Sequence, residues 1–489
     1  MQRKRHGWLR SPREASPHRR GIAAIILGAL LLGGCTTFSH DGGMSTVAAV
    51  AGDALHSDVA ALRTPEEAAA ARARTRELLR RSLTAGAAVQ VALLNNRGLQ
   101  AAYNELGIAE AAMVEQSLPP SPTLSLRRIS GSAEIEIESQ LVADILALAT
   151  LPARSEIAAE RFRAAQLRAA QETLRVAAET RRAYYRAIAA NQRVALMSEA
   201  ASAADSAAKL AARLGESGSM NKLDQAREQA FSAETVTQLA QARQQADAER
   251  ERLIRAMGLW GDELSFKIPN ALPSLPARPR NLPTVEMQAV ARRLDLQIAR
   301  IELDALAKSY GLTQATRFVN LFEVGPAGKT TIDKPTGQRI RDLGFEAQLQ
   351  VPLFDFGGVR VREAEERYMQ SLNRLMEMAV NARSQAREAY RAYRSAYDIA
   401  AHYRNEVMPL RQIISDETTL RYNAMMIDVF ALLAEARQRT AAAINSIEAQ
   451  QSFWLATVDL DGAILAGGPG ATGETPSLTS VAPEGADAH

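Results

Sequence analysis

The chain repeats itself, and a duplication of this kind limits it to folds built from two copies of one unit. At one offset of 206 residues, Arg154 falls on Arg360, Ala158 on Ala364 and Glu160 on Glu366. The same offset carries Ala183-Tyr184 onto Ala389-Tyr390, and ILALATLPAR (145–154) onto VPLFDFGGVR (351–360). Each unit reads in the same order. In the first, a helical pattern over 86–117 is stopped by Pro119, Pro120 and Pro122. Two alternating runs, TLSLRRIS (123–130) and AEIEIESQL (133–141), follow as a hairpin about Gly131-Ser132. Helix then runs over 154–257, broken only by LGESGSMN (214–221). In the second, a helix over 284–313 precedes a strand-like run at 316–324, a loop with Gly and Pro, and a strand at 342–351. A long helix follows, interrupted near 423–428, and a return helix reaches about 461. Between the units, IPNALPSLPARPRNLP (268–283) places five prolines in sixteen residues, which neither a helix nor a central strand accepts.

Lengths turn this order into an architecture. At 1.5 Å per residue, Arg154–Gly218 and Arg360–Asn423 make helices of roughly 95 Å each. The return and pre-strand helices are about half that. The expected fold is mainly α: two long helices beside two stacked pairs, with strand hairpins at one end and helical turns at the other. Aromatics at 5% suit closely packed helices better than a compact enzyme core.

The N-terminus is a separate segment. Residues 1–20 hold seven Lys/Arg, 21–32 (GIAAIILGALLL) are apolar, and Leu32-Gly33-Gly34-Cys35 follows, the pattern of a secretory signal over 1–34. Without it Lys+Arg fall from 58 to 51 and Asp+Glu from 55 to 54, so the net charge passes from +3 to about −3. The basic balance therefore belongs to the signal, and nucleic acid is not an expected partner. Cys35 is the one cysteine of the chain, which excludes an internal disulfide and a thiolate metal cluster. His40, His56, His402 and His489 stand apart, and no phosphate loop or nucleophile elbow is present. Neither an enzyme, a metal site nor a cofactor is expected.

The strands set the membrane question. Leu343, Phe345, Ala347, Leu349 and Val351 alternate with Gly344, Glu346, Gln348 and Gln350; Ile135 and Ile137 alternate with Glu134, Glu136 and Glu138. A barrel with lipid outside and water inside shows this period, and so does a soluble sheet with one wet face. Four strands cannot close a membrane barrel, and open edges are not tolerated in lipid. If the strands span, several protomers must pool them, and three would give twelve.

A lipobox-like Leu32–Cys35, the duplicated order, the ~95 Å helices, VPLFDFGGVR and YNAMMIDVFALLAEAR (422–437) together resemble the TolC-type outer-membrane efflux channels, in their lipoprotein branch, over about residues 86–462. The resemblance implies a homotrimer whose α-barrel crosses the periplasm and continues into a 12-stranded β-barrel of four strands per protomer. It implies lipid attachment at Cys35, with Thr36 favouring the outer membrane, and no other prosthetic group. It further implies passive conduction, with a periplasmic adaptor and an inner-membrane pump of the resistance-nodulation-division or a related type as partners. Domain organisation then reads as signal 1–34, anchored extension 35–85, first repeat 86–267, linker 268–283, second repeat 284–462 and a disordered tail 463–489.

Adaptor-docking tips fall at Gly215, Gly218 and Met220, and at Tyr422, Met425 and Met426. Met425 stands where such tips usually carry glycine, and the two methionines fit either a plastic docking surface or the tip's own small core. Where some relatives place gate aspartates, this chain has Ala431 and Ala434; Asp428 and Glu435 are the nearby carboxylates for a periplasmic gate. Pro352, Phe354, Phe356, Gly357 and Gly358 form the expected strand–helix seam. ILALATLPAR lacks the aromatics and the Gly pair, so the two seams are expected to differ, with the first hairpin seated differently. Tyr184, Tyr185, Tyr390, Tyr393 and Tyr397 are read as inter-helix packing. The alternative function is a coiled-coil tethering lipoprotein without a pore; the substrate, whether drug, metal or organic molecule, stays open.

Overall fold

Short polar side chains decide where the helices begin. In the computed structural model, which describes residues 38–467, a strap of three short helical pieces (44–55) leads to α1 (Pro65–Leu79). Thr64 and Glu67 close a capping box around the start of α1, with Pro65 in its first turn. Then come α2 (Ala85–Asn95), α3 (Arg97–Ser117), β1 (Thr123–Ser130), β2 (Glu134–Asp144), α4 (Ile145–Glu216) and α5 (Lys222–Met257). The second half supplies α6 (Val285–Arg292), α7 (Leu294–Ala315), β3 (Leu321–Asp333), β4 (Arg339–Gln350), α8 (Gly358–His402), α9 (Met408–Asn423) and α10 (Val429–Leu465). Thr84, Asn96, Asp144, Asn221 and Asp428 each accept a backbone N–H from the first turn of the helix they open. The signal, Cys35 and the tail beyond 467 lie outside the described residues.

The long helices are longer than the sequence pattern gave. α4 has 72 residues, about 108 Å. It starts at Ile145, so ILALATLPAR is helix and not a counterpart of the VPLFDFGGVR turn. The Asp144 carboxylate caps it through Ala147 N at 2.8 Å, and Pro152 sits inside it. α8 begins at Gly358, two residues before the expected Arg360, and continues through a π-turn (Tyr403–Val407) into α9. That turn lies just before Pro409, whose ring and missing N–H disrupt ordinary i→i−4 bonding. Each pre-strand helix is broken once, at Asn96 and at Arg293, both extended at ψ 111° and 126°. α10 reaches Leu465, so the tail begins after the expected residue 463.

Alanine brings the helices close. α4 packs along α5, α3, α7 and α10. On its lower half Met197, Ala201, Ala204, Ala207 and Ala211 face a seam of Thr235, Leu239, Ala242 and Ala246 on α5. Near the middle of the helices, the proline-rich linker is held by side chains because it has no ladder of its own. Tyr393 Oη accepts from Arg280 N at 3.0 Å; Tyr397 Oη donates to Pro276 and Ala277 carbonyls at 3.1 Å; Trp454 Nε1 donates to Pro273 O at 3.0 Å. Tyr184, Tyr185, Tyr393 and Tyr397 are buried: Tyr185 stacks on Trp454 and meets Tyr184 edge-on, while Tyr393 and Tyr397 pack against Phe453, which is packing as expected.

The two hairpins join as one antiparallel sheet in the order β1-β2-β3-β4. The first hairpin is therefore not separately seated: β2, with 11 residues, pairs along β3. The expected strand at 316–324 with a Gly/Pro loop is corrected to β3, 321–333, which carries Gly325 and Pro326 within it. Pro326 pairs with Phe345 on β4, while the β2 ladder skips Leu141 and Val142 opposite the glycine and proline. A Cβ on Gly325 would lie 1.8 Å from Leu141 O, so the backbones meet there only because the residue is glycine.

Candidate channel surface and helical tips

Register sorts the sheet into two unlike faces, since directly paired residues share a face. One face carries Leu124, Leu126, Ile135, Ile137, Leu141, Val324, Leu343, Phe345 and Leu349; the other carries Arg127, Glu134, Glu136, Glu138, Lys329, Asp342, Glu346 and Gln348. Leu343 is 92% and Phe345 72% exposed in the single chain. Large aliphatic and aromatic groups in that state need a cover. Charge is managed along the polar face: Arg127, Glu138, Lys329 and Asp342 face one another strand by strand, and Lys329 Nζ also reaches Glu136 at 2.7 Å. No described helix is long and apolar enough to cross a membrane.

The seam below β4 is a tight turn. Phe356 and Gly357 both have positive φ (49° and 73°), and a Cβ on Gly357 would lie 2.1 Å from Arg317 O. Gly357 is thus required, whereas Gly358 is an ordinary first helical residue. Asp355, which the sequence reading passed over, accepts Gly357 N and Val359 N at 3.1 Å each, and these bonds hold its carboxyl below the usual range. Arg360 is hydrogen-bonded to Asn320, fastening the helix to the start of β3. Phe354 is fully exposed, Phe356 is 54% exposed, and Pro352 O accepts Phe356 N at 2.9 Å.

At the opposite end both tips are short turns. Gly218 has φ 77° in open space, and Gly215 makes room for Gln225, whose amide reaches back to Met220 O at 3.0 Å. In the second tip Met425 adopts φ 59° and is 94% exposed; Met426 is 73% exposed and Tyr422 half-buried. In the protomer the two methionines therefore lie on the surface and do not form a tip core.

The candidate gate carboxylates have protein partners. Asp428 caps α10 through Ala431 N at 2.8 Å, and Glu435 pairs with Arg411 of α9 at 3.3 Å. A tether between the two hairpins escaped the sequence reading. Arg437 Nη2 lies 2.9 and 3.0 Å from the two carboxylate oxygens of Glu228 on α5, and its guanidinium stands 3.9 Å over the Phe231 ring. Glu228 is 3% exposed beside a cleft of about 590 Å³ that Phe430 and Ala434 also line. Its signal was present in the sequence: Glu228 shares the seam spacing of Thr235, Leu239, Ala242 and Ala246, where a carboxylate needs a cation. Among the described residues no cluster of potential metal ligands occurs.

Residues 287–424 match the sequence model of the outer membrane efflux protein family. Curated proteins yield no match. Among solved structures, the chain is similar to the CmeC outer membrane channel of Campylobacter jejuni (TM-score 0.65, 15% identity, 78% of this chain and 86% of that one). It is likewise similar to the outer membrane protein VceC of Vibrio cholerae (TM-score 0.62, 14% identity, 82% and 97%). CusC, whose structures concern transmembrane channel formation, has a TM-score of 0.64 at 15% identity, over 78% and 92%. At these identities the likeness establishes the fold, and the stretch 287–424 of the second repeat is similar in sequence to the outer membrane efflux proteins.

Proposed function

We propose that this chain is the outer-membrane channel subunit of a tripartite efflux system, conducting passively what an inner-membrane pump and a periplasmic adaptor deliver. The observation that carries the reading is the open-edged sheet with one apolar and one polar face, set on helices about 100 Å long. Such a sheet cannot stand alone in lipid, because β1 and β4 each leave a row of backbone donors and acceptors unpaired. Three copies close the edges into a twelve-stranded barrel with the polar face around water, and the helices continue it across the periplasm. A pore-free tether has no use for an amphipathic sheet with two open edges, and this favours the channel over the tether.

In this reading Cys35 carries the lipid. The tips at Gly215, Gly218, Met220, Tyr422, Met425 and Met426 receive the adaptor, while Asp428, Glu435 and the Glu228–Arg437 tether hold the periplasmic mouth. The test is direct. Outer-membrane fractions should contain a trimer that dissociates only on heating, and the purified protein should give discrete conductance steps in planar bilayers. A monomer without conductance overturns the proposal. Met425→Glu and Gly218→Trp should abolish efflux with trimers intact; normal efflux in both removes the tip assignment.

A further inference from the structure

The polar face carries a second charge pattern that the protomer leaves incomplete. Its edge strands each hold an ion outside the salt bridges of the chain: among the described residues neither Arg127 on β1, which faces Glu138 across the ladder without closing on it, nor Glu346 on β4 makes a salt bridge. Asp342 faces Lys329, but the in-sheet neighbour of Glu346 is Gly325, which offers nothing. A carboxylate at a sheet edge beside glycine, on the water-facing side, can be matched only from beyond the edge.

Stagger identifies what lies there. Along the fully paired row Arg127–Glu138–Lys329–Asp342, Arg127 is four residues above the helical end of its strand (Thr123), and Glu138 is six above Asp144. Lys329 and Asp342 are each eight above Leu321 and Gln350. The row thus climbs four residues, about 13 Å, and over the four inter-strand gaps of one protomer's share of a ring, three within the sheet and one at the junction, each about 4.8 Å, this is a tilt of about 35°. Closed barrels need a tilt of 35–45°, so the sheet already has the slope of a closed wall. A neighbouring copy whose β1 starts at the same rim and joins β4 without further climb, as β4 joins β3, sets its Arg127 opposite the β4 residue four above Gln350, and that residue is Glu346.

We infer that Arg127 of one protomer pairs with Glu346 of the next across the β1–β4 junction, on the lumen side, at each junction of the ring. The partner is a second copy of this chain, and the site does not exist without it. The pair fixes the strand register at the junction, where no turn does so, and it places an ion pair at each of the three seams of the pore wall. This rests on the channel reading, and the experiment separates the two. Arg127→Cys/Glu346→Cys protein, purified from outer membranes and oxidised, should give inter-protomer disulfides. Arg127→Cys/Asp342→Cys, the unstaggered alternative some 13 Å away along the strand, should not, and each single variant serves as control for Cys35. Arg127→Glu and Glu346→Arg should each lower the dissociation temperature of the trimer, and Arg127→Glu/Glu346→Arg should restore it. Preferential crosslinking at 342, or no rescue by the double reversal, overturns the pairing while leaving the trimer standing. A wild-type chain without a trimer overturns the channel reading itself.

Discussion

Met425 occupies a backbone position that L-residues other than glycine hold at a cost of about 1–2 kcal/mol. Its φ of 59° and 94% exposure mean that no packing in the protomer offsets the strain. A strained, solvent-facing methionine kept at the turn points to use of the side chain. Met425→Gly should therefore stabilise the fold by up to about 1 kcal/mol while weakening adaptor capture; thermal unfolding and pull-down with the adaptor read the two effects separately. The tether at Glu228 invites the opposite change. Glu228→Gln removes the charge that Arg437 needs, in a seam where Arg437 Nε already lacks a partner. Faster amide exchange near the start of α5 and a higher open fraction in single-channel records are expected. Unchanged records would leave the pair a fastening of the hairpins and nothing more.

Among the elements, buried tyrosine hydroxyls tie the long helix α4 to its neighbours. Burial pushes Tyr184 up to about 12, and its hydroxyl donates to Leu83 O at 2.9 Å; burial likewise raises Tyr103 to about 12. A folded-state value above the unfolded one near 10 means that the contribution is complete below pH 10. It is lost as pH rises from there through about 12. Base titration followed by circular dichroism should show this loss, and Tyr103→Phe/Tyr184→Phe should blunt its pH dependence. For Asp355, hydrogen bonds from Gly357 and Val359 depress the value, so the contribution stands above the ordinary carboxylate range and fades in acid. Much of this scale was legible in the sequence. The interruptions at 214–221 and 423–428 gave the starts of both return helices to within a residue and the expected end at 257 matched α5, while α10 runs four residues past the expected 461. Less legible were the features that depend on neighbours. The Asp144 cap on ILALATLPAR is a local signal, whereas Pro326 is tolerated because the ladder skips it and Glu228 meets Arg437 across 209 residues of sequence. Local propensity carries neither of the latter two.

For the whole molecule, the two faces of the sheet decide whether the chain forms a pore. Phe345 stands mid-strand on the apolar face and Gln348 on the polar one, three residues apart on the same edge strand. In a membrane barrel an arginine at mid-bilayer on the lipid side costs about 2–4 kcal/mol, whereas lumen positions accept charge and alter selectivity. Phe345→Arg should therefore reduce the heat-dissociable trimer in outer-membrane fractions strongly. Gln348→Arg should leave its amount near wild type and shift the ion preference of the conductance toward anions. A water-exposed sheet predicts the reverse emphasis: replacing a bare Phe by Arg would raise solubility and leave assembly untouched. Because both substitutions introduce the same side chain into the same strand, propensity and chain entropy nearly cancel, and the difference between them reports which face meets lipid. Equal tolerance of both would take the sheet out of the membrane, and with it the reason for three copies to close.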